Sequence, residues 1–447
     1  MFSSHTPKSM SKTLLQELEE LVKANVISSE TARNISAYLS GRTKEKPNRL
    51  PVVVNILGAL LAGLGIVLLI AHNWNNYGRL TKTILAFLPL LLGQGFCVYT
   101  LLKRKGNITW QESSAVFLFF AVASTISLIS QTYHIDGTIA EFLLTWLLLT
   151  IALVYIMPSS VVALLYIAAT AWYAWAVKFG FYQSHELPVY YPGLLALILP
   201  HYYHYFKRRR ESNFFIWLNW LIVISLAVSL VTLSREADRS EWVSIGYIAL
   251  FSVYYLIGHT KYYDGKGLFS NPFLIVGTIG VLCILFSWSF DWTWQANRYL
   301  DGPGLFTRQF TWPFGYVTIA LLLVCGWRYA ADYREINKDY VDPTGLSGMF
   351  VAISFAALGN MPVFGKLLVN LWILIIAIFF IRKGAFKNHL GVLNFGLTII
   401  AILALCRFFD DQIPFVWRGI FFLSTGAGFF TGNYLLVKKR KSLKKND

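Results

Sequence analysis

Charge is what this chain has least of. Only 14% of its 447 residues are Asp, Glu, Lys or Arg, against about 25% in soluble domains. The acidic side is the poorer, with 23 Asp and Glu against 39 Lys and Arg. So sparse a supply of charge excludes an ordinary water-soluble globule. Cysteine is scarce as well: Cys97, Cys283, Cys325 and Cys406 all fall inside apolar runs, with neither metal-ligand spacing nor a disulfide framework. They read as small buried hydrophobes. There is no P-loop, no GxSxG and no zincin helix, and the GLG at 63–65 lies inside an apolar run with no strand before it. No cofactor and no metal is therefore expected. Residues 1–50 are polar and mixed in charge, so no cleavable signal peptide is expected either.

Long apolar runs are what the chain does have. The stretch 52–71, VVVNILGALLAGLGIVLLIA, holds 20 residues without a formal charge. As a helix it would be ~30 Å long, the thickness of a bilayer's hydrocarbon core. Comparable runs follow at 82–102, 111–131, 140–156, 159–178, 191–206, 213–233, 242–258, 271–290, 312–328, 345–360, 363–381, 388–407 and 415–437. The apolar stretch 142–177 is too long for one crossing, and Met157-Pro158-Ser159-Ser160 breaks it into a hairpin. The weakest run is 345–360, short and rich in Gly and Ser. The fold expected is an all-α polytopic transmembrane helix bundle of about fourteen spans over 51–437. A small cytosolic helical hairpin precedes it in 1–50, and a basic cytosolic tail follows in 438–447.

The net charge of +16 could point to nucleic acid, but the basic residues form short clusters between apolar runs rather than one face. Anionic lipid headgroups at the cytoplasmic face are the expected counterpart, and no nucleic acid. With both termini inside, 29 of the 39 Lys and Arg fall on cytoplasmic segments, as the positive-inside rule requires. Dropping the run 345–360 would send Arg382, Lys383, Lys387 and the KKRKSLKK tail outside. The alternation thus predicts a multi-pass protein of a cytoplasmic membrane with both termini cytoplasmic.

Ahead of the first run, 11–26 reads as an amphipathic helix carrying Leu14, Leu15, Leu18, Leu21, Val22 and Val26. Ser28-Ser29-Glu30 offers N-cap chemistry for a second helix with Ala32, Ile35, Tyr38 and Leu39. Two such short helices cannot bury a core alone, so residues 11–40 are expected to dock on the membrane domain or on a cytosolic protein partner. A DNA-reading helix-turn-helix is disfavoured for want of a basic recognition helix.

The stretches VISSETARNISAYL, LGALLAGLGIVLLIAHNW (57–74), SLISQTYHIDG (127–137) and CRFFDDQIPFVWRGIFFLSTGAGFFTGNYLL (406–436) together resemble the bacterial membrane proteins grouped as domain of unknown function 2157. The resemblance is clearest over residues 11–150. It implies a bacterial cytoplasmic membrane location and supplies no catalytic residues.

Polar groups at membrane edges are where function is sought, since burying them unpartnered is costly. In the expected topology Asn73, Gln131, His134, Asp136, Glu141, Arg407, Asp410, Asp411 and Arg418 all fall on the outer side. One reading gathers them into an outer-leaflet polar pocket whose arginines suit an anionic headgroup. The other pairs Arg407 and Arg418 with Asp410 and Asp411 as a hairpin staple and leaves the rest as caps. His201 and His204, spaced i and i+3, precede Lys207, Arg208, Arg209 and Arg210. Without a third ligand nearby they read as a lipid interface rather than a metal site. Small residues, among them Gly93, Gly95 and Gly428, suggest close helix packing. Three function classes stand: a permease or lipid-handling transporter, suggested by Asn55, Gln94, Asn219, Asn370 and Asn394 within spans; a scaffold or sensor acting through its N-terminal helices; and a membrane enzyme on a lipid-linked substrate.

Overall fold

The computed structural model describes residues 20–42, 76–180, 186–234, 240–295, 312–335, 342–358 and 361–408, with Leu18 and isolated positions between 416 and 430. The first apolar run, Asn73, Asp410, Asp411, Arg418 and the basic tail lie outside the described residues. The chain divides into two compact units, Met1–Lys82 and Thr83–Asp447.

In the first unit, α1 spans Ser29–Arg42. Ser28 is its cap, since the Ser28 hydroxyl accepts from the Thr31 backbone N–H at 3.1 Å. Asn25, at φ 57°, turns the chain away from the preceding helical segment. Leu21, Val26 and Ile35 are exposed.

Apart from a single helical turn at Trp292–Gln295, the remaining helices are α2 (Arg79–Lys103), α3 (Ile108–Tyr133), α4 (Ile139–Ile156), α5 (Ser160–Phe179), α6 (Tyr191–Ala196), α7 (Leu199–Arg208) and α8 (Asn213–Thr232). They continue as α9 (Ser240–Gly258), α10 (Pro272–Trp288), α11 (Pro313–Glu335), α12 (Ser347–Leu358), α13 (Pro362–Phe386) and α14 (Leu390–Phe408). No strand occurs among the described residues. Their starts are written in cap chemistry. Asn107, Ser159, Ser212 and Asn271 each accept from a backbone N–H in the first turn of the helix they precede. Thr138 and Glu141 form a capping box at α4, each side chain taking the other's backbone N–H.

Among the described residues nine helices are long and apolar enough to cross a bilayer. Three expected spans take other forms. The run 191–206 is two pieces, α6 of 6 residues and α7 of 10. The break falls just before Pro200, which has no N–H to offer back to Ala196. The run 271–290 becomes α10, 17 residues starting on Pro272. The weak run 345–360 becomes a 3-10 turn at Pro343–Leu346 followed by the 12 residues of α12, ~18 Å of helix.

Side-chain contacts sort the helix ends of the second unit into two sets. At one end Glu112 of α3 meets Ser160 of α5, Tyr262 bonds Arg210, and Tyr255 of α9 and Lys383 of α13 meet Asp342. Lys103 and Lys207–Arg210 fall at this basic end. At the far end Thr83 bonds Tyr133 at 2.9 Å, Lys178 lies 5.7 Å from the Trp312 ring, Lys366 pairs with Asp291 at 2.7 Å, and Arg407 reaches Ser289. The core has two main parts. One is built around Phe119, Trp146, Tyr166 and Phe215 from α3, α4, α5 and α8; the other around Tyr255, Trp288, Trp294 and Ile373 from α9 to α13. Cys97 and Cys325 are buried as expected, but Cys283 sits on an exposed helix face.

Candidate functional site

The motif SLISQTYHIDG ends α3, turns and leads to α4. His134 makes the turn: it adopts φ 51° and ψ 46°, and its backbone N–H donates to the Ser130 carbonyl. Where a helix ends on such a left-handed residue, that residue is usually glycine. The Ser130 hydroxyl then bonds the Ile135 carbonyl at 2.8 Å, and the capping box at Thr138 starts α4 immediately. Residues 134–138 are thereby held at both ends.

Between this turn and α2 lies a groove of about 620 Å³, within the range of small-molecule sites. Phe87, Ile126, Ile129, Ile135, Ile139 and Phe142 supply its apolar lining, and Thr125, Ser127, Ser130, Thr138 and Thr145 its hydroxyls. Asp136 and Glu141 are its charged residues. Glu141 is committed to the cap, accepting from the Thr138 N–H at 2.8 Å. Asp136 is exposed and carries no side-chain hydrogen bond among the described residues. Thr125 fixes the floor by donating to the Ala86 carbonyl of α2 at 2.9 Å.

The polar residues expected on the outer side are thus divided. Asp136 and Glu141 line the groove, while Gln131 and His134 are exposed beside it. Arg407 belongs elsewhere. Its Nη2 donates to the Ser289 hydroxyl at 3.0 Å and its guanidinium lies 4.7 Å from the Phe290 ring. Nearby, Asn370 donates to the carbonyls of Ser289 and Lys366, and Lys366 pairs with Asp291. Arg407 therefore brings no positive charge to the groove, whose charged lining is wholly acidic.

At the basic end His201 and His204 part company. His201 is buried with its ring 5.2 Å from that of Tyr205, whereas His204, Lys207, Arg208, Arg209 and Arg210 are exposed. Beside them is a feature the sequence reading passed over. Glu112 holds the start of α5 through Ser159, Ser160 and Val161, and Tyr205 bonds the Ser160 hydroxyl. Glu241, in the first turn of α9, is a buried carboxylate that reading also missed, whereas Glu112 is half-buried. Neither residue has a sequence motif. Glu112 stands at the edge of the run 111–131 and Glu241 just ahead of 242–258, so hydropathy alone does not mark either.

No group of three or more His, Cys, Asp or Glu residues among the described residues could hold a metal ion. The amides named as in-span polar groups follow no common path. Gln94 and Asn394 are exposed, and Asn219 is bound by Tyr202 and the Phe215 carbonyl. Asn370 serves the Ser289 contact, and Asn55 lies outside the described residues.

Residues 19–163 match the family described as "Predicted membrane protein (DUF2157)". The matched segment includes α1, the groove and Glu112. No curated protein and no solved structure matches the chain.

Proposed function

We propose that this chain is a lipid-handling protein of the bacterial cytoplasmic membrane, whose groove between α2, α3 and α4 receives an amphiphile. The observation that carries this is the lining itself. Isoleucine and phenylalanine form one part, hydroxyls and a carboxylate the other. A chain-bearing molecule meets both requirements at once, with its tail against Ile126, Ile129 and Phe142 and its polar head at Asp136, Thr138 and Ser130. An acidic rim favours a head with an ammonium or several hydroxyls over a phosphate monoester. The anionic ligand expected from Arg407 is replaced accordingly. The basic end faces the cytoplasm in this reading, because Lys103, Arg104, Lys105 and Lys207–Arg210 all belong to it. The groove then opens at the outer leaflet.

Native mass spectrometry of the full chain in neutral detergent, followed by lipid identification, tests the proposal. Wild type should retain a defined lipid that Ile129→Trp, which fills the groove, and Asp136→Asn both lose. His134→Gly should keep it, since His134 acts through its backbone conformation. Equal bulk lipid in all four proteins defeats the reading. A second reading, a scaffold recruiting a partner through residues 11–40, draws on the exposed Leu21, Val26 and Ile35 of the first unit. Loss of phenotype on changing Leu21 and Ile35, but not Asp136, would favour it.

A further inference from the structure

We infer a second, separate ligand site at the basic end: a small cavity between the α7–α8 and α9–α10 connections that binds a phosphate group through Arg210 and Lys266. The cavity measures about 210 Å³ and is lined by Arg210, Glu211, Asn219, Tyr262, Lys266 and Ser270. That is below the size of whole drug-like ligands and suits a headgroup or an inorganic ion.

The two connections are far apart in sequence; two contacts tie them to each other, and a third ties α8 to the α9–α10 connection. The Tyr262 hydroxyl donates to the Arg210 carbonyl at 3.1 Å, the Trp220 indole donates to the Phe269 carbonyl at 3.0 Å, and Lys266 pairs with Glu211 at 3.1 Å. Gly265, at φ 73°, gives the turn that brings Lys266 back over the site. Asn219 is a fixed wall, buried and bonded to Tyr202 and to the Phe215 carbonyl.

The two cations are positioned in advance. The Arg210 guanidinium lies 4.1 Å from the Phe206 ring and 5.8 Å from the Tyr262 ring. The Lys266 ammonium sits 3.7 Å from the Tyr262 ring centre. Such stacking holds long basic side chains in place at little entropic cost on binding. Burial works against the Lys266 charge, but its contacts with Tyr262 and Glu211 outweigh that and hold its pKa above the ordinary lysine value. It stays cationic across the working pH range.

Glu211 is the informative partner. Its side chain is 85% exposed while that of Lys266 is 18% exposed. A carboxylate that solvated gives up little when it swings into water. It occupies Lys266 as an exchangeable internal anion, and an incoming phosphate displaces it. The phosphate can come from an anionic phospholipid or from solution.

The test is calorimetric titration of the full chain in neutral maltoside with short-chain phosphatidylglycerol, short-chain phosphatidylcholine and inorganic phosphate. Phosphatidylglycerol should bind saturably, and Lys266→Met should weaken it roughly tenfold or more. Glu211→Gln should tighten binding several-fold, a gain that a misfolded protein cannot give. Asp264→Asn, which removes one negative charge from the same connection without freeing Lys266, should change it far less. Inorganic phosphate following the same variant order identifies a soluble source; response to phosphatidylglycerol alone identifies the lipid. The site is overturned if Lys266→Met binds as wild type does, if Glu211→Gln and Asp264→Asn act alike, if phosphatidylcholine equals phosphatidylglycerol, or if nothing binds.

Discussion

The Glu112 carboxylate on α3 accepts a hydrogen bond from the Ser160 backbone N–H at 2.9 Å, across 48 positions of the chain. The same carboxylate takes the Val161 N–H at 3.1 Å and the Ser159 hydroxyl. A helix start leaves unpaired N–H groups and a partial positive charge, and both are most costly where water is scarce. Glu112 answers both from a neighbouring helix, so the hairpin break at 157–160 is fastened to α3 as well as to its own cap.

Removing that carboxylate should therefore loosen the bundle. Glu112→Ala is expected to cost about 1.5–3 kcal/mol, the usual range for hydrogen bonds to a charged group. Glu112→Gln should cost nearly as much, because its amide presents donors where acceptors are needed. The readout is thermal unfolding in detergent, followed by thiol labelling of Cys97, which is buried and bonded to the Ser114 carbonyl. A midpoint unchanged in both variants would show that the cap contributes nothing.

Much of this fold is legible in the sequence because bilayer solvation writes itself into long apolar runs. The runs at 82–102, 111–131 and 140–156 became α2, α3 and α4 within a few residues of those bounds. The run 191–206 was misread as one helix because hydropathy does not register the missing N–H of Pro200. The site was legible only where its residues are close in sequence. Asp136 and Glu141 share the groove because they belong to one turn. Arg407 matched them only in being polar at the same membrane edge, and its partner Ser289, 118 positions away, could not be read from spacing. Lys266 could not be joined to Arg210 from spacing for the same reason. Cation-aromatic stacking on Tyr262 joins them, and it leaves no periodicity to find.

Glycine separates the two kinds of legibility further. Gly277 of α10 lies so close to α9 that a Cβ there would stand 2.5 Å from the Tyr255 backbone nitrogen, whereas a Cβ at Gly95 of α2 would meet nothing within 4 Å. Gly277→Ala must push two backbones apart and should destabilise by several kcal/mol, in the manner of overpacked cores. Gly95→Ala should be neutral or gain up to ~1 kcal/mol from helix propensity. Thermal midpoints of the two variants, measured side by side, should move in opposite directions or by very unequal amounts. Equal shifts would contradict the close approach of α9 and α10.

The last prediction concerns the shortest apolar helix in the second half. Lys383, near the end of α13, lies 3.5 Å from the Asp342 carboxylate, which precedes the 3-10 turn leading into α12. Asp342 also accepts from the Tyr255 hydroxyl at 2.6 Å and from the Thr344 N–H at 3.1 Å. Positions 342 and 383 meet because the chain leaves through the 3-10 turn and α12 and returns through α13. The two side chains are 21% and 23% exposed, so the pair is neither fully screened nor fully desolvated. Lys383→Met should cost about 1–3 kcal/mol, less than the loss of a fully buried partner. Asp342→Asn should cost more than Lys383→Met, because it also weakens the bonds from Tyr255 and Thr344. The double variant should cost less than the two singles combined, with a coupling of at least ~0.5 kcal/mol. Strict additivity would mean that Asp342 acts on Tyr255 and Thr344 alone, and that the return of α13 depends on its packing rather than on charge.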